Sequence, residues 1–106
     1  MSHNDQQQQL RLPAQPRAST VELLFRTFGT VLIPLEDLRE RYFRNLNSER
    51  FASVIGTERL PIPVTTLDGS TKAQRFVEIH QLAAHIEHCS NQADTDLERR
   101  LNKQDE

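Results

Sequence analysis

The sequence predicts a mainly α-helical domain that carries one small β-hairpin. Apolar residues recur at spacings of three and four in four segments, which is the period of helices with one buried face. The stretch "LPIPVTTLDGSTKAQRFVEI", residues 60–79, holds two extended apolar runs around an Asp-Gly turn signal. The order of these segments places the hairpin after the third helix.

The chain has 106 residues, which fits one domain. Its glutamine- and proline-rich start and its charged end cannot bury enough apolar surface to offset the entropy of ordering. We therefore expect a disordered polar tail over residues 1–18, a folded domain over 19–91, and a polar tail or short helix over 92–106.

Helix one is predicted from Ser19 to Phe28. "STVE" offers a capping box, in which Ser19 and Glu22 satisfy each other's backbone N–H groups. Gly29 is a natural end, because glycine adopts the left-handed conformation without penalty. The expected buried stripe comprises Val21, Leu24, Phe25 and Phe28.

Helix two is predicted from Leu35 to Phe43, after the extended link "TVLIP". Pro34 keeps the residue before it out of the helical region, and Glu36 lies in the first turn, where the helix dipole favours an acid. Leu35, Leu38 and Tyr42 share the face expected to be buried.

Helix three is predicted over about 47–58, capped by Asn47 or Ser48 and ended by Pro61. The inward residues are Phe51, Val54 and Ile55. A second face carries Arg50, Ser53 and Thr57 at spacings of three and seven, and it holds no large apolar side chain.

The hairpin is predicted to pair residues 62–67 with residues 75–79 across the turn "DGSTKAQ". Helix four follows over about 80–88 and adds Leu82, Ala83 and Ile86 to the core. This order of elements is the plan of a winged helix-turn-helix, with the hairpin over 62–79 as the wing and helix three as the reading helix.

The charge distribution favours an anionic partner for this region. The formal net charge is −2, yet residues 41–75 hold six Lys/Arg against three Asp/Glu. We expect the polar face of helix three to meet base edges and the wing to meet phosphates of double-stranded DNA. The candidate DNA-binding residues are Ser48, Glu49, Arg50, Ser53, Thr57, Arg59, Lys72, Gln74 and Arg75. The plainer alternative is an ordinary solvated face with surface charges.

Other chemistry finds little support in the sequence. No Ser/His/Asp or Cys/His spacing indicates catalysis, and the three glycines are too scattered for a phosphate loop. His85, His88 and Cys89 could supply two metal ligands, whereas a structural zinc site needs four. We therefore expect neither an enzyme nor a cofactor. The single cysteine fits a cytoplasmic protein, and no apolar run is long enough to span a membrane.

The runs "VLIPLEDLRERYF", "LPIP", "STKAQR" and "FVEIHQLAAHI" resemble the pyocin activator family, over roughly residues 21–87. The plan is more remotely similar to prophage regulators and excisionases with a winged helix. The resemblance implies a cytoplasmic transcriptional activator of bacteriocin genes that binds promoter DNA. Activation would also require a contact with RNA polymerase.

Two alternatives remain open from the sequence. The negative net charge and Glu49 in helix three favour a protein-interaction modulator without DNA binding. An excisionase-like architectural factor would instead bend its DNA target. A homodimer is also open.

Overall fold

The computed structural model describes residues 15–105, so that residues 1–14 of the tail expected over 1–18 lie outside the described residues. The chain is mainly helical, with one small antiparallel sheet, as predicted, and this arrangement is compatible with a winged helix-turn-helix. In chain order the elements are α1 (Ala18–Phe28), β1 (Leu32–Pro34), α2 (Leu35–Tyr42), α3 (Ser48–Val54), β2 (Phe76–Glu78) and α4 (Ile79–Asp105).

The sheet corrects the predicted strand pairing. β1 pairs with β2, so that Ile33 lies opposite Val77, and β1 comes from the link that we expected to be merely extended. Of the predicted strand over 62–67, only Thr65 pairs with Phe76, through backbone N–H···O distances of 2.8 and 2.9 Å. Pro63 cannot donate to a ladder, so this side of the sheet is reduced to one residue pair. The loop over 66–75 leaves the sheet at that bridge.

The core lies where the sheet meets the helices. Ile33 and Val77 are fully buried, and each helix and strand contributes at least one buried side chain. The buried apolar residues are Leu24, Ile33, Leu38, Phe51, Val54, Ile55, Leu60, Ile62, Val77, Ile79, Leu82 and Ala83. The predicted inward residues of helices three and four are mostly confirmed, whereas Phe25 and Tyr42 are about half exposed.

The start of α1 differs from the prediction. Ser19 and Glu22 form no capping box, because Arg17 occupies the cap position and Glu22 pairs with Arg26 at 2.8 Å. Glu87 of α4 instead accepts the backbone N–H of Arg17 at 3.0 Å. This contact between distant parts of the chain satisfies a donor that the first turn leaves unpaired.

The end of α3 comes earlier than predicted. Asn47 caps the helix as expected, since its side chain accepts the backbone N–H of Arg50 at 2.8 Å. Val54 is the last helical residue, because Ile55 is extended and Gly56 adopts a left-handed φ of 85°. The chain thus turns before Pro61 rather than at it.

α4 is much longer than the predicted 80–88. It runs without a break to Asp105 and includes the segment that we expected to be a tail or separate short helix. Every described side chain from His88 to Lys103 is exposed. In the described part of the chain, no helix is both long enough and apolar enough to cross a membrane.

Candidate nucleic-acid interface

The predicted site residues lie on α3, on the turn after it and on the loop over 66–75. All of them are exposed except Arg75, which is half-buried. A hydrogen bond from Arg75 to the backbone of α3 joins the loop to the helix, so two of the three parts of the predicted site are in contact.

The angle between α2 and α3 is fixed by a polar cluster at the turn that joins them. Ser48 donates its hydroxyl to Glu36 Oε1 at 2.8 Å, and Arg39 donates to Glu36 Oε2 through Nε and Nη2 at 3.0 and 2.7 Å. Arg39 also donates through Nη1 to the carbonyl of Leu46 at 2.9 Å. These hydrogen bonds, from Arg39 first and then Ser48, hold the pKa of Glu36 below its ordinary value.

This cluster gives Ser48 a partner within the protein. Sequence reasoning assigned Ser48 to the DNA surface and did not single out Glu36 or Arg39 as parts of the site. The spacing of three between Glu36 and Arg39 in "LEDLRE" was the available signal, because such pairs meet on a helix surface.

The exposed face of α3 presents Glu49, Arg50 and Ser53. Within residues 15–105, no side-chain hydrogen bond or ion pair engages the guanidinium of Arg50. Ser53 donates its hydroxyl to the carbonyl of Arg50 at 2.8 Å, an ordinary back-bond within the helix. Arg50 is therefore the side chain of this face that is open to an external acceptor.

Thr57 does not share that helical face, so the spacing argument that included it was wrong. It lies beyond the end of α3, and its hydroxyl donates to the carbonyl of Val54 at 2.5 Å. Arg59 is exposed in the same turn, which closes through a bond from the Gly56 N–H to the Leu60 carbonyl at 2.9 Å. Both residues border α3 from its C-terminal side.

The loop over 66–75 is organised by its own polar residues. Asp68 accepts the backbone N–H of Ser70 at 3.2 Å, and the Ser70 hydroxyl accepts that of Lys72 at 3.1 Å. These are the local bonds that Asp and Ser supply in turns, as the Asp-Gly signal predicted. Lys72 and Gln74 project into solvent from this loop.

Arg75 makes a contact with α3 that the sequence did not predict. Its Nη1 donates to the carbonyl of Ala52 at 3.2 Å, and its side chain is partly buried there. A continued helix would satisfy that carbonyl with the N–H of Gly56, which bonds to Leu60 instead. Arg75 thus supplies the donor that the carbonyl of Ala52 lacks because α3 ends early. Its position in the sequence did not indicate this role.

The histidines of α4 form no metal centre in the described part of the chain, residues 15–105. His85 Nε2 lies 3.4 Å from Cys89 Sγ. Burial lowers the pKa of His85, and the neighbouring His88 lowers it further.

Comparison with known proteins identifies a matching family. The model of a family described as "Pyocin activator protein PrtN" matches residues 20–93. No curated protein and no solved structure matches the chain. The matched segment covers most of α1, all of α2 and α3, both strands and the packed part of α4, and so includes the whole candidate interface.

Proposed function

This chain belongs to the pyocin activator family, and we propose that it activates bacteriocin or prophage-type genes by sequence-specific binding to promoter DNA. The family is one of regulatory activators rather than enzymes. The match to its model, over residues 20–93, spans most of the folded domain. In this proposal the protein works in the cytoplasm, where α3 enters the major groove and the loop over 66–75 lies along the sugar–phosphate backbone.

The observation that supports this proposal most directly is the open guanidinium of Arg50 on a helix that is anchored at both ends. Asn47 caps the start of α3, the Ser48–Glu36 bond ties it to α2, and Arg75 ties its last turn to the loop. A side chain that reads bases must be held by a rigid support, and the charged fork of Arg matches the acceptors of guanine in the major groove.

Electrostatics supports the same surface. Arg50, Arg59 and Lys72 are exposed within the region where basic residues outnumber acidic ones. If basic side chains neutralise four to six phosphates, log affinity falls with log salt at a slope of roughly −4 to −5. Activation also requires a contact with RNA polymerase, for which α1 and the acidic stretch of α4 are both accessible.

Glu49 favours the competing function of a protein-interaction modulator. It is exposed in the first turn of α3, where a carboxylate would repel a phosphate. The excisionase-like alternative shares the DNA surface and differs in bending the duplex.

A fluorescence titration at several salt concentrations tests the proposal. The probes are a labelled duplex from upstream of a bacteriocin gene cluster of the host and a shuffled duplex of equal length. The proposal predicts tighter binding to the promoter duplex and a negative salt slope. Absence of binding to both duplexes would favour the modulator, and a bend detected by energy transfer between the duplex ends would favour the architectural factor.

A further inference from the structure

The second half of α4 extends away from the folded domain. Every described side chain from His88 to Lys103 is exposed, and the helix continues to Asp105. At a rise of 1.5 Å per residue, the projecting part is about 25 Å long. A solitary helix of this length is only marginally stable in water, so its formation is favoured by a partner that covers one face.

One face of this projection carries an apolar stripe. Leu97 and Leu101 are 54% and 49% exposed, and Ala93 precedes them by one turn on the same side. The stripe continues the buried face of the same helix, since Ile86, Ala93 and Leu97 follow Leu82 at steps of four, seven and four residues. The face of α4 that packs on the domain in the first half of the helix is therefore exposed in the second half.

We propose that a second copy of this chain covers the stripe, so that two α4 projections pack antiparallel and form a homodimer. The distribution of charges along the projection favours a second copy of the chain as the partner, and it favours antiparallel packing. Three acids precede three bases along the projection, and one further acid, Asp105, stands at its end. The acids are Asp94, Asp96 and Glu98, and the bases are Arg99, Arg100 and Lys103.

An antiparallel pair brings the acidic part of each helix level with the basic part of the other. When the helices cross at Leu97, Arg100 lies level with the partner subunit's Asp94. A parallel pair would place acids level with acids and bases level with bases, and it would also align the two helix dipoles unfavourably. Both effects favour the antiparallel pair, and both weaken as salt screens the charges.

The size of the contact sets the expected strength. Three apolar side chains from each helix form an interface well below the ~1,600 Å² of a standard protein complex. We therefore expect association in the micromolar range, with the monomer and dimer both populated at accessible concentrations. This interaction is independent of DNA binding.

Sedimentation velocity of the full chain over a wide concentration range tests the dimer. The proposal predicts a shift from monomer to dimer with rising concentration, and a dissociation constant raised at least tenfold by Leu97→Asp. The matched control is Thr95→Asp, which adds the same charge on the opposite face of α4 and should leave association unchanged. Circular dichroism and melting of both variants check that the domain stays folded.

A thiol cross-linker tests the direction of packing, because Cys89 is the single cysteine and is exposed. In an antiparallel pair that crosses at Leu97, the two Cys89 residues lie about 24 Å apart along the axis, and a short bismaleimide should not join them. A monomer at every concentration would overturn the dimer, as would equal weakening by both variants. Efficient Cys89 cross-linking would overturn the antiparallel arrangement.

Discussion

Arg75 donates a hydrogen bond to the carbonyl of Ala52 over 3.2 Å, and this contact joins the loop over 66–75 to the last turn of α3. The guanidinium also lies at the negative end of the helix dipole, where a cation is stabilising. The same residue adjoins Phe76, which pairs with Pro34 on one side and Thr65 on the other. The position of the loop relative to α3 is therefore set by a side chain as well as by the sheet.

We predict that Arg75→Ala destabilises the fold by about 1 kcal/mol and leaves the salt slope of DNA binding unchanged. The reason is that Arg75 bonds to a carbonyl rather than facing solvent. Lys72→Ala should instead leave the stability unchanged and reduce the salt slope of DNA binding by about one unit. Urea denaturation and DNA titrations at several salt concentrations measure both quantities. A reduced slope for Arg75→Ala would show that it contacts phosphate.

Glu36 gives a prediction about pH. Its pKa is lowered in the folded state, so the Glu36 cluster contributes stability above the ordinary carboxyl pKa of 4.5, and this contribution is lost as pH falls through the lowered value. Glu36→Gln should lower the melting temperature at pH 7, and the difference from the wild type should shrink as the pH falls below 4.5. Melting curves between pH 3 and 7 measure it. A difference that does not depend on pH would contradict the assigned role of the carboxylate.

Gly56 ends α3 with a left-handed φ of 85°, which a residue with a side chain adopts at a cost. Gly56→Ala should destabilise the protein by about 1–2 kcal/mol through this backbone strain. Steric overlap adds nothing, because a Cβ there would meet ordinary contacts with Val64 Cγ2 at 3.7 Å and the Ile62 carbonyl at 3.9 Å. Gly69→Ala is the matched control, since Gly69 has no positive φ and open space around it. Equal effects of the two changes in urea denaturation would refute the account of the helix end.

The sequence predicted most of the helices because their signals are local. The start of α3 at Asn47 and the end of α1 at Gly29 each follow from one residue and its neighbours. The pairing of β1 with β2 could not be predicted in this way, because residues more than forty positions apart form it. The hydrogen bond from the backbone N–H of Arg17 to Glu87 was equally unpredictable, because it joins the start of α1 to the last helix.

In the candidate site too, the features with local signals were predicted and those that depend on distant contacts were not. Exposure of Arg50, Ser53 and Lys72 followed from polar character at helical or turn positions. Thr57 lies off the helix face because Gly56 ends α3 before it, with a left-handed φ of 85°. The helical spacing that predicted a shared face holds only while the helix continues through Gly56. The contact of Arg75 with α3 depended on tertiary structure, which brings together residues 23 positions apart.

The central claim is that the exposed face of α3 reads DNA through Arg50. The most direct test compares the wild type with Arg50→Ala on the promoter duplex and on the shuffled duplex, with Arg99→Ala as a control outside the interface. The account predicts that Arg50→Ala weakens the free energy of binding to the promoter duplex by about 1–3 kcal/mol and weakens binding to the shuffled duplex much less. The circular dichroism spectrum should stay unchanged. An unchanged ratio of the two affinities in a folded Arg50→Ala protein would contradict the claim.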